Sequence, residues 1–176
     1  MRVLANSDKG IVREQNEDYY YVSEGFDGFD VYMLADGMGG YNGGEIASKL
    51  AIEAARKYIV AHFKEIEHTK EEILELLKET MKYANDVVFS KSEVIDELRG
   101  MGTTLEICLI YNNRAYIGHI GDSRIYRIRD KFMRKLTTDH SYVETLVKGG
   151  TITKEEAKHH PKKNMLMKAL RMFRGS

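Results

Sequence analysis

Four acidic side chains, Glu17, Asp18, Asp36 and Asp122, fall at the ends of regular segments, beside glycine or beside one another. Carboxylates that converge without cationic partners repel, so a shared location calls for protonation or a bound cation. All-oxygen donor sets suit hard dications such as Mg²⁺ and Mn²⁺. Asp36 opens the stretch Asp36-Gly37-Met38-Gly39-Gly40, directly after the apolar run Val31 to Ala35. A carboxylate placed where a buried strand stops is rigidly held, and the glycines let the main chain bend and come close to a ligand. Arg13 lies a few residues before the first acids, on the charge-dense loop from Ser7 to Asp18. Its planar fork can take two phosphate oxygens while a neighbouring dication takes others, the pairing that phosphoryl transfer needs. Taken singly, each residue has an ordinary reading: a solvated loop for Glu17 and Asp18, an Asx turn for Asp122, a surface arginine for Arg13. Taken together they favour one site. His140 and His160 bound a later helical excursion and are the histidines placed near that site, whereas His62 and His68 fall in a Lys/Glu-rich connection and are expected to be exposed. Cys108 alternates within an apolar strand and reads as buried and inert.

The elements that must position these groups follow from hydrophobic period. Alternation over residues 2 to 7, the aromatic run Asp18 to Val22 and the run Phe29 to Asp36 read as strands, the last two antiparallel across the turn Glu24 to Gly28. From Glu45 the period becomes helical, with Ile46, Leu50, Ala54 and Tyr58 on one side. Thr69-Lys70-Glu71-Glu72 is a capping box that starts a second helix with the stripe Ile73, Leu74, Leu77, Met81, Ala84 and Val88. Two helices of about 20 residues would cover one face of a sheet. Period two then returns: Thr103 to Tyr111, Arg114 to Gly121, Ser123 to Arg129 and Phe132 to Leu136 read as a four-strand meander with turns at Asn112-Asn113 and Asp130-Lys131. A short helix ending at Gly149-Gly150 and another capped by Thr153-Lys154-Glu155-Glu156 form a flap with little apolar content.

At 176 residues the chain fits one domain, and its formal charge of zero offers no basic field for nucleic acid. One cysteine rules out an internal disulfide framework and fits a reducing, cytoplasmic setting. The N-terminus turns polar too early for a signal peptide, and no apolar run approaches the ~20 residues of a membrane span. GxSxG, Walker A and CxxC patterns are absent. A dinucleotide cradle at the glycine stretch fails, because the later strands do not alternate with helices.

The order of these motifs resembles the metal-dependent protein Ser/Thr phosphatases of the PP2C or PPM family, bacterial single-domain type. Ser7-x-x-Gly10-x-x-Arg13-x-x-Asn16-Glu17-Asp18, Asp36 to Gly40, Gly102-Thr103-Thr104, Gly118-x-x-Gly121-Asp122-Ser123-Arg124, Thr138 to Ser141 and His160-Pro161-x-x-Asn164 carry the likeness, which runs to about Leu170. The resemblance implies an α+β fold, a four-layer α-β-β-α sandwich of two mostly antiparallel sheets, incomplete at the C-terminus. It implies a phosphatase domain over 1–170 with a flap at about 140–161, and a non-family tail at 171–176. It further implies that Asp36 bridges two Mn²⁺ or Mg²⁺ ions with the Gly37 carbonyl, that Glu17 and Asp18 hold metal or its water, and that Asp122 serves a third ion. Arg13 receives the phosphate, so Arg13 and Asp36 are the catalytic pair. The implied reaction is hydrolysis of phosphoserine and phosphothreonine in proteins, substrates of a Ser/Thr kinase, by a metal-activated water, in the cytoplasm and without nucleic acid or membrane.

Two departures from the family pattern matter. Tyr41 stands where many bacterial relatives carry histidine. The chain ends at Arg171 to Ser176, where relatives continue into strands bearing two further metal-ligating aspartates. That ending resembles a truncated, frame-shifted or engineered tail, so impaired turnover and self-association through open sheet edges are expected. The alternative is a catalytically inactive, phosphatase-like binding or regulatory module.

Overall fold

The computed structural model describes residues 2–23, 25, 28–39 and 43–171. The Glu24 to Gly28 turn is covered only in part, and Gly40, Tyr41 and the tail beyond Arg171 lie outside the described residues. Its elements are β1 (Asp18–Val22), β2 (Phe29–Met38), α1 (Gly43–His62), α2 (Lys70–Val94), β3 (Gly102–Thr103), β4 (Leu105–Tyr111), β5 (Arg114–Ile120), β6 (Tyr126–Arg129), β7 (Phe132–Lys135), α3 (Tyr142–Lys148) and α4 (Lys154–His159).

Alternation in β2 decides which side of the sheet is inside. Phe29, Val31, Met33 and Ala35 are buried, as are Leu105, Ile107 and Leu109 of β4 and Tyr116 of β5. The sheet runs β1-β2-β4-β5, antiparallel throughout, with β3 paired to the end of β2. Helices α1 and α2 pack on its apolar side and merge with it into one core. The expected stripe on α1 is rotated by one position. Ala47, Ala51, Ala55 and Ile59 are fully buried, while Ile46, Leu50 and Tyr58 flank the core half-buried. Small side chains face the sheet because they let the helix axis come close, and the larger ones fill the margins. In α2 the capping box at Thr69 is formed as expected, a feature that stabilises a helix by about 1 kcal/mol. Buried Thr80 satisfies its hydroxyl by donating to the Leu76 carbonyl at 2.7 Å.

Three expectations are corrected. Residues 2 to 7 form no strand: Leu4 is 92% exposed, and the segment pairs with no described strand. The meander stops after β5. Gly121, at φ +118°, turns the chain away, and β6 pairs only with β7 as a separate two-stranded sheet. The two sheets and their helices make the expected α+β arrangement, with α1 and α2 on the larger sheet. His62 and His68 are not simply exposed. His62 Nδ1 bonds the Tyr58 carbonyl, and His68 bonds the Phe63 carbonyl through Nε2 while packing against Phe63 and Tyr111. Both seal the end of the core. Cys108 is half-buried on the sheet face away from the helices, and desolvation raises its thiol pKa. Among the described residues, no helix is long and apolar enough to cross a membrane.

Candidate active site

Strand register puts the first two acids together. Asp18 of β1 is the cross-strand partner of Asp36 of β2, and side chains of directly paired residues lie on the same face. The preceding loop is shaped by Asn16, whose Oδ1 accepts from the Asp18 amide at 3.0 Å and whose Nδ2 donates to Ser7 Oγ at 2.6 Å. Glu17 is drawn in by its own carbonyl, which accepts from the Gly37 amide at 3.0 Å. The approach is so close that a Cβ on Gly37 would sit 2.0 Å from the Gly44 oxygen and 2.7 Å from the Glu17 oxygen. No other residue fits there.

Asp36 is fixed on both sides of its peptide. Its amide donates to Thr104 Oγ1 at 2.9 Å, and its carbonyl accepts from the Thr103 hydroxyl and the Thr104 amide, each at 3.0 Å. Thr104 Oγ1 also lies 3.0 Å from Ser123 Oγ, beside Asp122. The Asp122 corner is pinned from the flap side, since Gly121 donates to His140 Nδ1 at 3.2 Å and accepts from the His140 amide at 2.7 Å. Next to it, Arg124 forms a fork on buried Asp139, with Nε 3.0 Å and Nη2 2.5 Å from Oδ2, and Lys135 adds a contact at 3.1 Å.

These elements frame a cleft of about 690 Å³ lined by Arg13, Glu17, Asp36, Gly37, Thr104, Asp122 and Asn164, among others. A slightly larger groove of about 730 Å³ between α2 and β5 contains none of the four acids and is not the site. The residues singled out from sequence thus come together: Arg13, Glu17, Asp36, Gly37 and Asp122 face one cleft, and Asp18 stands directly across the strand pair from Asp36. His140 faces the other groove and holds the corner, and His160 packs near the Tyr142 ring outside the cleft. Thr104 and Asn164 complete the cleft lining. In the sequence Thr104 reads as part of a strand and Asn164 as a flap boundary; a hydroxyl pair following glycine at a strand start is the available signal.

Electrostatics separate Asp36 from an ordinary surface carboxylate. The Asp36 pKa rises to about 6, first because its surroundings exclude water and then through the charges of Asp18 and Asp122. Arg13 opposes the rise. Arg13 itself is 69% exposed and contacts Glu17 Oε2 at 3.0 Å. Among the described residues no three His, Cys, Asp or Glu groups already form a cage. Mg²⁺ and similar ions keep several waters and use one or two carboxylates, so the mutually repelling Asp18 and Asp36 with the nearby Gly37 carbonyl fit a hydrated dication.

The protein phosphatase 2C family model matches residues 11–172. The chain is 41% identical over 170 residues to the serine/threonine protein phosphatase PstP of Mycobacterium tuberculosis, covering 97% of this chain and 31% of that protein. It is 39% identical over 175 residues to the serine/threonine phosphatase stp of Listeria monocytogenes, covering 97% of this chain and 67% of that one. It therefore spans about a third of one relative and two thirds of the other. Among solved structures, Staphylococcus aureus Stp1 superposes with a TM-score of 0.86 at 32% identity, over 96% of this chain and 65% of that one. The PstP catalytic domain in complex with two manganese ions superposes at 0.75 with 38% identity, over 94% of this chain and 65% of that one. With sequence, fold and cleft in agreement, the chain belongs to the protein phosphatase 2C family.

Proposed function

We propose that this chain hydrolyses phosphoserine and phosphothreonine in proteins, drawing on Mn²⁺ or Mg²⁺ held by its acidic cleft. The observation that carries the reading is the meeting of Asp18, Asp36 and Asp122, distant in sequence, beside Arg13. In this reading Asp18, Asp36 and Asp122 hold the ions, with Glu17 and the Gly37 carbonyl beside them. When bound, the dications make water a stronger nucleophile and offset charge on the phosphoryl oxygens. Arg13 leaves Glu17 for the substrate, its fork donating to two phosphate oxygens at once. Its exposure permits that swing. Two of its relatives are named serine/threonine phosphatases, and the catalytic domain of one of them, PstP, is seen with two manganese ions; by that likeness this chain acts on phosphoproteins, in this reading those made by a Ser/Thr kinase. The domain of 1–170, with its flap at about 140–161, is the unit that acts.

Incubation with Mn²⁺ and a phosphothreonine peptide tests the reading. Release of phosphate that is abolished by chelator and by Asp36→Asn supports it; metal-independent release, or release retained in the variant, refutes it. The second reading is a phosphatase-like module that binds phosphopeptide without turnover. Binding of the peptide with no phosphate released would select that second reading. The outer edges of β1 and β5 carry no described strand, so self-association is expected, read by light scattering.

A further inference from the structure

The acidic cleft does not end at Asp122. A second cavity of about 470 Å³ shares Asp122 and Asn164 with it and extends under the flap, between the Asp122 corner and helices α3 and α4. Its lining differs in charge. Five cations, Arg124, Lys135, Lys154, Lys158 and Lys163, face three carboxylates, Asp122, Asp139 and Glu144. Asp139 is already neutralised by Arg124 and Lys135, and Lys158 is paired with Glu155 at the surface. Lys154 and Lys163 have no ion-pair partner among the described residues. Val143, Val147 and Ala157 supply an apolar wall. A cavity with an apolar wall and excess positive charge suits a side chain with a short aliphatic stem and an anionic end.

We propose that this flap cavity binds an acidic side chain of the substrate peptide, flanking the phosphorylated residue that occupies the cleft. The inference rests on the phosphatase reading and adds a substrate preference to it. An extended peptide advances about 3.3 Å per residue, so an acidic group roughly one to three positions away reaches an adjoining cavity. Lys154 and Lys158 stand one helical turn apart on α4 and line the same cavity, Lys154 as the main contact and Lys158 after exchanging its surface partner Glu155. The interaction is between largely exposed charges and is therefore modest and sensitive to salt.

The test uses the 176-residue chain with Mn²⁺ and three fluorescent peptides: a phosphothreonine peptide with glutamates at the three positions on either side, the same peptide with glutamines, and the unphosphorylated glutamine form. Fluorescence anisotropy reads affinity for each. The glutamate peptide is expected to bind roughly three- to tenfold tighter than its glutamine twin at low salt. The Lys154→Glu variant, and more fully Lys154→Glu/Lys158→Glu, should remove that advantage and leave affinity for the glutamine phosphopeptide unchanged. Glutamate suits the first turn of a helix, so Lys154→Glu keeps α4 folded. Equal binding of the two phosphopeptides, or an advantage that survives the double variant, overturns the proposal while leaving the phosphatase reading intact. A glutamine phosphopeptide bound no better than its unphosphorylated form overturns both.

Discussion

The Asp36 amide donates to Thr104 Oγ1 at 2.9 Å, and the same oxygen stands 3.0 Å from the hydroxyl of Ser123, the neighbour of Asp122. One threonine thus joins two acid-bearing corners that lie far apart in sequence. Replacing it with valine keeps the shape and removes the acceptor, leaving a part-buried amide unsatisfied. A loss of about 1–3 kcal/mol is expected, with a Tm fall of roughly 2–4 °C per kcal/mol. Mn²⁺ affinity should fall too, and Thr104→Ser should restore both. Calorimetric unfolding and Mn²⁺ titration of the two variants check this.

Gly121 meets the same threonine from the other side. At φ +118° it lies where L side chains are strained, and a Cβ would stand 2.4 Å from Thr104 Cγ2. Gly121→Ala should cost more than about 1 kcal/mol, from both strain and clash. Gly150, at φ +69° with open space around it, separates the two contributions. Gly150→Ala should cost distinctly less in the same thermal unfolding experiment.

Asp36 is a group whose ionisation the folded state resists, so the sign of its pH effect is the reverse of an ordinary ion-paired acid. Its folded pKa of about 6 exceeds the ordinary 3.8. In metal-free protein the penalty is absent below pH ~4 and complete above ~6. Metal-free Asp36→Asn should therefore be the more stable protein at pH 8, by about 1 kcal/mol or less after solvent screening, and equal to the parent near pH 4. Chelator-treated melts across this range decide it.

Asp139 behaves in the opposite sense. Burial pushes its pKa up, but the hydrogen bonds and charges of Arg124 and Lys135 outweigh this and hold it below 3.8. Its stabilisation is present above the unfolded value and is lost as pH falls through the folded one. Asp139→Asn should cost about 1–3 kcal/mol at pH 7, and the gap to the parent should close as pH falls below about 3.8. Acid titration of both proteins, followed by circular dichroism, measures the closure.

Local chemistry made part of this molecule legible before any coordinates. Thr69 and Thr153 announced their helices because a capping box is a contact within four residues, and both boxes form. Asn112, Asn113, Asp130 and Lys131 turn where expected, all at positive φ. Glu17, Asp18, Asp36 and Asp122 stand out only as a set, acids at segment ends beside glycine or beside one another, because each alone has an ordinary reading. What stayed hidden depends on partners distant in sequence. The rotation of α1 follows from how closely a helix can approach the sheet, which alanine spacing alone does not specify. The fork of Arg124 on Asp139 and the bond from His119 Nδ1 to buried Glu106 at 2.8 Å span 15 and 13 residues. The β6 and β7 hairpin separates from the larger sheet after the positive-φ turn at Gly121, which alternation does not reveal. Residues 2 to 7 alternate like a strand, yet no described strand pairs with them, and alternation without a partner is not a strand.

Whether these acids hold a dication is tested most directly by a Mn²⁺ titration of the parent chain and of Asp18→Asn, Asp36→Asn and Asp122→Asn, followed by electron paramagnetic resonance of the free ion. Saturable binding by the parent is expected, with loss of at least one site in Asp36→Asn and weakened binding in the other two. Binding by the parent that all three variants retain unchanged, or no saturable binding at all, would contradict that expectation.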